Sequence, residues 1–437
     1  MFPYRSQLCI VIAIFMLVVV RQNAFAGDSG VFKLELPDAA ATGMGTAFTG
    51  QADRPSAVYF NPAGIVQMDT AQVSAGLTWL QPQMRYQSSA PQNGSGYTAN
   101  MKEDNFLIPN VFVTTPVFKD KFYVGLGENS NFAGGFSWEA DSFSRYATVK
   151  DSLVNQDYMI VGAYKINDQW SVGVGATDDQ SKFEHDQALA QGASADADDL
   201  FKANDNAWGF DLAAMFKLND RNQFGLSYKS PIHHQYRGTL YLNGLNHGGP
   251  DYQTTFGGTT FSTKAIQKLT LPQSFTLGYS LKPANKWTIN FDLEWTDWSN
   301  YEQQTTYYPN VTSAGQKAVL ATGNPQQRSW KSVWSESLGV QYAVTDRFRV
   351  RTGYAHHQTP VPKGTFDTEF PDSNSDAVSA GIGYDITSRV TLDIAYVADF
   401  YQSRGIVNTV DNSLGAFLNG KYRGFVNIGT MSLTYKF

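Results

Sequence analysis

Cysteine is nearly absent: the 437 residues contain one, Cys9, and it lies in an N-terminal segment with the marks of a removable signal. A mature chain without thiols has no disulfide framework, no cysteine nucleophile and no thiolate metal site. Charge is also scarce, with 16% Asp, Glu, Lys and Arg against about a quarter in ordinary soluble domains. What charge there is leans acidic, 39 carboxylates against 33 basic side chains. The basic face of a nucleic-acid binder is missing. After residue 20 no apolar run approaches 18 residues, and the mean hydropathy of -0.31 excludes a bundle of transmembrane helices. Neither a phosphate-cradling Gly-Lys loop, nor Gly-x-Ser-x-Gly, nor His-Glu-x-x-His occurs, which leaves ATP use, serine hydrolysis and zinc hydrolysis without a motif.

Aromatics and glycine are abundant instead, with 29 Phe, 23 Tyr, 9 Trp and 38 Gly. Arg5, an apolar run from Leu8 to Val20 and Ala24-Phe25-Ala26 form a signal peptide with cleavage expected after Ala26. The run is short for a retained anchor, which needs about 20 residues. Removing Arg5 and Arg21 lowers the basic count from 33 to 31 against 39 acidic, a net charge of -8.

The periodicity of the remainder is two. Trp287, Ile289, Phe291, Leu293 and Trp295 alternate with Thr288, Asn290, Asp292 and Glu294, and the same pattern runs through 170–176, 390–396 and 425–437. These are strands with one greasy and one polar face. Six tight connections separate pairs of them, at 118–121, 166–169, 218–221, 282–285, 344–347 and 386–389. Phe122, Trp170, Phe224, Trp287 and Phe348 follow close behind these turns, as in an interfacial aromatic girdle. Long polar segments at 188–206, 243–263, 309–327, 360–374 and 403–420 fall between.

Short connections alternating with long ones predict an all-β fold, a transmembrane antiparallel β-barrel of about 14 strands in a bacterial outer membrane. The strands are expected to begin near 71, 106, 121, 157, 169, 207, 222, 264, 286, 328, 347, 374, 389 and 421. A secreted β-sandwich shares the alternation but not the sorting of loops by length.

Residues 27–70 break the pattern. The stretch 38–50 is rich in small residues, and Asn61-Pro62-Ala63-Gly64 reads as an N-cap followed by proline at the first helical position. Such a segment is either a disordered leader or a compact hatch filling the lumen. The expected organisation is a signal peptide at 1–26, a hatch at 27–70 and a barrel at 71–437.

Gly43-x-Gly45 and Asn61-Pro62-Ala63-Gly64 before the first strand resemble the FadL family of outer-membrane transporters for hydrophobic compounds. So, in order, do Asn129-Ser130-Asn131-Phe132-Ala133-Gly134-Gly135, Ala207-Trp208-Gly209-Phe210, Leu271-Pro272, Trp295-Thr296-Asp297-Trp298-Ser299, Arg351-Thr352-Gly353, Thr359-Pro360-Val361-Pro362 and terminal Phe437. The resemblance implies a 14-stranded barrel closed by a hatch and passive uptake of long-chain fatty acids or, in related members, aromatic hydrocarbons. It places ligand in an internal apolar pocket and lateral exit at a third-strand kink, here Asn131, Phe132, Gly134 and Gly135, while Asn61, Pro62, Ala63 and Gly64 organise the hatch.

A fatty-acid carboxylate calls for a cation, and Arg328 with Lys331, beside Trp330 and Trp334, are the candidate pair. No cofactor or metal is expected. Neither histidine pair, His233-His234 or His356-His357, can converge on one ion from a strand, because neighbours point to opposite faces, and His185 and His247 stand alone. Asp178-Asp179 is a weak acidic pair. The expected partners are hydrophobic small molecules, outer-membrane lipid and lipopolysaccharide, and the barrel-insertion machinery through Phe437. The competing readings are a general diffusion porin and, from another class, an outer-membrane hydrolase.

Overall fold

A computed structural model describes residues 33–437 apart from 35, 91–92, 95, 119, 193 and 409–417. The signal-peptide expectation at 1–26 lies outside the described residues. Fourteen antiparallel strands close on themselves: β1 (Gln72–Ser88), β2 (Phe106–Phe118), β3 (Phe122–Asn129, then Ala133–Ser137), β4 (Lys150–Lys165), β5 (Trp170–Leu189), β6 (Ala197–Asn219), β7 (Asn222–Lys229, then Ile232–Asn243), β8 (Thr260–Leu271, then Ser274–Leu281), β9 (Trp287–Thr296), β10 (Val333–Ala343), β11 (Phe348–His357), β12 (Ser375–Asp385), β13 (Val390–Ile406) and β14 (Gly420–Lys436). Each pairs with its neighbours in sequence, and β1 pairs with β14 from Gln72↔Lys436 to Ser88↔Gly420, so the sheet closes into a barrel.

The short turns close by one repeated device. Asn167 Oδ1 accepts from the amides of Gln169 and Trp170, both at 2.8 Å. Asn219 and Thr387 do the same for the amides two and three residues on, the local bonding that suits Asn and Thr to turns.

The aromatics sort into two belts. Trp170 stacks on Phe216, Phe224 on Tyr279 and Trp287 packs on Tyr342 near the short turns. Phe210, Tyr228 and Phe275 pack in series toward the other end. Between the belts the outward side chains, among them Val172, Val174, Leu212, Leu226 and Leu277, are exposed, as lipid-facing residues are.

Starts are displaced where strands outrun the greasy alternation. β4 begins at Lys150 and β6 at Ala197, whereas the apolar pattern places them near 157 and 207. The polar segment 188–206, expected as loop, therefore belongs largely to β6. A spanning strand needs about 9–11 residues, and the 20 of β5 and 23 of β6 carry the wall well beyond the bilayer.

The N-terminal segment, described from residue 33, lies inside the barrel. It contains α1 (Ala39–Thr42), α2 (Ala57–Phe60) and a 3-10 helix (Pro62–Gln67). Its backbone runs so close to the wall that a Cβ added to Gly225 would lie 2.1 Å from Thr49 O, on Gly278 2.2 Å from Gly50 N, and on Gly353 2.1 Å from Gly45 N. Two of these wall glycines, Gly225 on β7 and Gly278 on β8, are cross-strand partners, and the third, Gly353, is on β11. Gly225→Val is expected to cost about 1–3 kcal/mol by overpacking, read as a lower temperature for loss of the compact form in heat-modifiable gel mobility. Gly405→Val, where nothing lies within 4 Å of the added carbon, should leave that temperature unchanged.

Candidate functional site

The polar row of β9 is the cradle of the hatch. Asn290 Nδ2 donates to Ala47 O at 2.7 Å, and Asp292 Oδ2 accepts from the amides of Phe48 and Thr49 at 2.9 and 2.8 Å. Ionic contacts add to these: Lys33 to Glu294, also on β9, and Arg54 to Asp393 on β13, which Arg351 also holds at 2.7 Å. Lys229 Nζ donates to Tyr59 O at 2.7 Å. Hydrogen bonds to charged groups are stronger than neutral ones, about 1.5–3 kcal/mol each, so the hatch is fastened as well as fitted.

Asn61 is fully buried and has the capping geometry expected of it. Its Oδ1 accepts from the Ala63 amide at 3.1 Å, and its Nδ2 donates to Thr49 O at 3.1 Å and to Ala214 O on β6 at 3.3 Å. Pro62 opens the 3-10 helix. A Cβ on Gly64 would lie 2.3 Å from Ala52 O, and one on the wall residue Gly173 2.6 Å from Ala63 N. The Asn-Pro-Ala-Gly element is thus a junction where hatch turns on hatch and on wall.

The wall is interrupted at β3. The ladder between β2 and β3 ends at Val111↔Glu128. Beyond Ser130, Asn131 and Phe132 the strand resumes paired with β4 alone, from Ala133↔Val154 to Ser137↔Lys150. Above the interruption the Lys102 amide donates to Ser137 O at 2.8 Å. A window is left between the first half of β2 and the second half of β3. Gly134 and Gly135 do not make the break, since they are paired with Leu153 and Ser152; Ser130–Phe132 make it, held by Asn129 Nδ2 on Asn131 Oδ1 and by the Asn131 amide on Asp157 Oδ2, both 2.8 Å. From within, the Leu34 amide donates to Asn131 O at 2.8 Å, and Leu34 and Leu36 pack with Phe106, Ile108 and Ala133.

Under the long loops is a cavity of about 370 Å³, in the size range of small-molecule pockets. Leu189, Phe201, Leu240, Leu242, Tyr308, Leu320 and Phe366 supply its apolar lining, and His185, Asp199, Gln267, Gln304 and Asp367 its polar groups. The loop helices α3 (Tyr252–Phe256) and α4 (Ala314–Leu320) each contribute one or more of its lining residues. Four buried aromatic rings that do not themselves line the cavity run in series to the break in β3: Phe370 to Trp330 at 5.5 Å, Trp330 to Trp298 at 5.1 Å, and Trp298 to Phe132 at 6.2 Å.

Arg328 is 1% exposed and wholly engaged. Its guanidinium pairs with Glu369 and lies 3.4 Å from Asp367, and it also donates to Gln304 and Gln326. Burial opposes its charge, yet Glu369, with Tyr301 and Asp367, raises its pKa above the ordinary arginine value. Lys331 is exposed, so the expected pair is not brought together. No lysine or arginine lines the cavity among the described residues.

Sequence reading missed the partners of Arg328, because Glu369 and Gln304 are distant in the chain and lie in irregular loops. It also missed that Asp151, His185 and Glu369 bring ligand-type atoms within 4.8 Å of one another. There Glu369 already pairs with Arg328 and accepts from Gln304 Nε2 at 3.2 Å.

The chain matches the family model "Outer membrane protein transport protein (OMPP1/FadL/TodX)" over residues 18–437. The long-chain fatty acid transport protein of Escherichia coli K12 is 25% identical over 405 residues, covering 82% of this chain and 86% of that protein. Outer membrane protein P1 of Haemophilus influenzae is 21% identical over 94% of this chain and 96% of its own length. Among solved structures, a Pseudomonas aeruginosa FadL homologue superposes with TM-score 0.78 at 19% identity over 95% of this chain and all of that one. The Pseudomonas putida toluene transporter TodX does so with TM-score 0.70 at 16% identity over 94% of this chain and all of that one.

Removing one partner of a buried ion pair costs about 3–5 kcal/mol by stranding the other. Arg328→Met is therefore expected to make segment 360–374 several-fold more sensitive to limited proteolysis, with resistance largely restored in Arg328→Met/Glu369→Leu.

Proposed function

The chain belongs to the FadL/TodX family of outer-membrane transport proteins, and on that premise we propose that it carries long-chain fatty acids passively across the outer membrane through the cavity, the aromatic path and the β3 window. One observation carries the reading: the wall ladder is interrupted at the end of a continuous aromatic path, and Leu34 and Leu36 close the interruption from inside. A greasy solute gains roughly 0.8 kcal/mol for each methylene it buries, which a water-filled pore does not offer. Solute enters beneath the loops, is held in the cavity, moves along the rings to Phe132 and leaves sideways into lipid. The closing segment must withdraw for that step, and residues 27–70 act as a hatch whose other contacts keep the lumen shut to ions. In this reading residues 1–26 are the export signal, 71–437 the barrel, and the chemistry is passage without reaction. The relative from Escherichia coli supports fatty acid as cargo.

A second reading has its own observation. Among the described residues the cavity presents Asp199 and Asp367 with no lysine or arginine, and its His185 is already bonded to Asp151, an environment that suits an uncharged hydrocarbon or a protonated acid better than a carboxylate.

Uptake of labelled oleate and of toluene, each measured in cells lacking their own hydrophobic-solute transporters, separates the two. Oleate uptake well above the empty-vector background supports the fatty-acid reading, and toluene uptake with background oleate supports the uncharged one. High ion conductance of the unmodified protein in planar bilayers would replace both with a diffusion porin. Asn61→Ala, which removes the helix cap and the bonds to Thr49 and Ala214, is expected to raise bilayer conductance several-fold by loosening the hatch.

A further inference from the structure

β5 and β6 continue far past the outer aromatic belt, and with β7 their outward face there carries the cations Lys182, Lys202 and Arg237 beside Glu184, with Asp186 and Asp198 farther on, in a protein of net charge -6. Phe183, Phe201 and Tyr236 are buried toward the lumen, so by strand alternation Lys182, Lys202 and Arg237 face outward. All three are exposed. Cross-strand register gathers them: Lys182 is opposite Asn204, Asn204 opposite Arg237, and Lys202 opposite Thr239, which is itself opposite Lys264.

The gathered side chains line a groove of about 340 Å³ whose margins include Ser152, Val154 and Asn204. Glu184 is its one carboxylate, bridged to Lys150 at 3.0 Å and Lys202 at 3.3 Å. Lys182 and Lys264 have no ion-pair partner among the described residues, and Arg237 donates only to Gln235, a neutral side chain. Like charges on adjacent strands repel unless something anionic lies between them.

The height of the groove identifies that anion. Trp208, 67% exposed in the outer belt, is opposite Asp178. Lys182 lies four residues beyond that level on β5 and Lys202 six residues beyond Trp208 on β6, which is roughly 13–20 Å along the strand at about 3.3 Å per residue. With strands tilted about 35–45° the rise above the apolar band is roughly 10–15 Å. That is the layer of headgroups and inner sugars in the outer leaflet, reached from the lipid side and not from the lumen.

We propose that Lys182, Lys202 and Arg237 form a binding groove for the phosphate groups of an outer-leaflet glycolipid, lipopolysaccharide, on the outer wall of β5–β7. Its acyl chains lie against the Trp208, Phe210, Tyr228 and Phe275 belt, and its phosphates lie between the three cations. The groove is separate from the transport route and faces the other side of the same wall.

The test uses full-length protein in detergent, with native mass spectrometry of adducts formed with bisphosphorylated lipid A, with its dephosphorylated form and with inorganic phosphate alone. Wild type is expected to retain one bisphosphorylated lipid A. Lys182→Ala/Lys202→Ala/Arg237→Ala is expected to bind it about 100-fold more weakly at low salt, taking roughly fivefold for each cation near an anionic lipid surface. Heat-modifiable gel mobility verifies that the variant is folded, and Lys317→Ala, an exposed cation on α4, should bind as wild type does. Equal retention by the triple variant, equal binding of the dephosphorylated lipid, equal loss in Lys317→Ala, or inorganic phosphate bound as well as the lipid would each overturn the assignment.

Discussion

In the hydrocarbon of a bilayer every backbone amide has to find its partner inside the protein, and the rest of this structure follows from that demand. β1 meets β14 across the full length of both strands, so the first and last strands leave no edge between them. Closure of 14 strands encloses a lumen, and an unfilled lumen would be an aqueous channel. Residues 33–70 fill it, and the inner faces of the strands are built for that occupant. The inward rows are polar because they bond a backbone, as Asn290 and Asp292 do with 47–49, and they carry glycine where that backbone comes closest.

Against that demand the break in β3 stands out. Two halves of one strand are displaced about Ser130–Phe132, and the facing half of β2 has no ladder partner on that side. Unpaired amides at membrane depth are tolerated only where protein covers them, and here the cover is the start of the hatch itself, through the Leu34 amide on Asn131 O and the apolar packing of Leu34 and Leu36. In the proposed route hatch and window are therefore one device: withdrawal of Leu34 and Leu36 would uncover the window, and a hatch that stays seated would keep it shut. The ionic contacts at Glu294 and Asp393 and the Asn61 junction set how firmly it is seated.

The barrel was legible in the sequence because its rules are local. Period-two alternation, tight turns with Asn or Thr placed to cap the following amides, and an aromatic after five of the six turns are all written within ten or twenty residues. The cap at Asn61 and the proline after it were legible for the same reason. What could not be read was whatever depends on distant pairing. Arg328 looked like a free cation because its carboxylate, Glu369, is 41 residues away in an irregular loop. Gly134 and Gly135 looked like the breaking point because glycine is permissive, but a ladder tolerates glycine and the break is fixed instead by side chains of Asn129 and Asp157. The 188–206 stretch read as loop because polarity on both faces usually means solvent, and here it means a strand that has left the membrane.

The same misreading marks the limit of sorting residues by hydropathy alone in a protein of this kind. A strand of the barrel passes through three environments in succession, and its outward face changes composition at each boundary: aromatic at the short-turn rim, aliphatic in the acyl region, aromatic again, and then Lys182, Lys202 and Arg237 beyond. The inward face does not follow those boundaries, because it answers to the hatch below and to the cavity above. β5 and β6 thus have two independent records written on alternate residues, one of the surroundings outside and one of the interior. Reading the low overall charge as scarcity was correct for the acyl region only; in the layer above, Lys182, Lys202 and Arg237 stand on the outward side of the wall and His185, Asp199 and Asp367 on the cavity side.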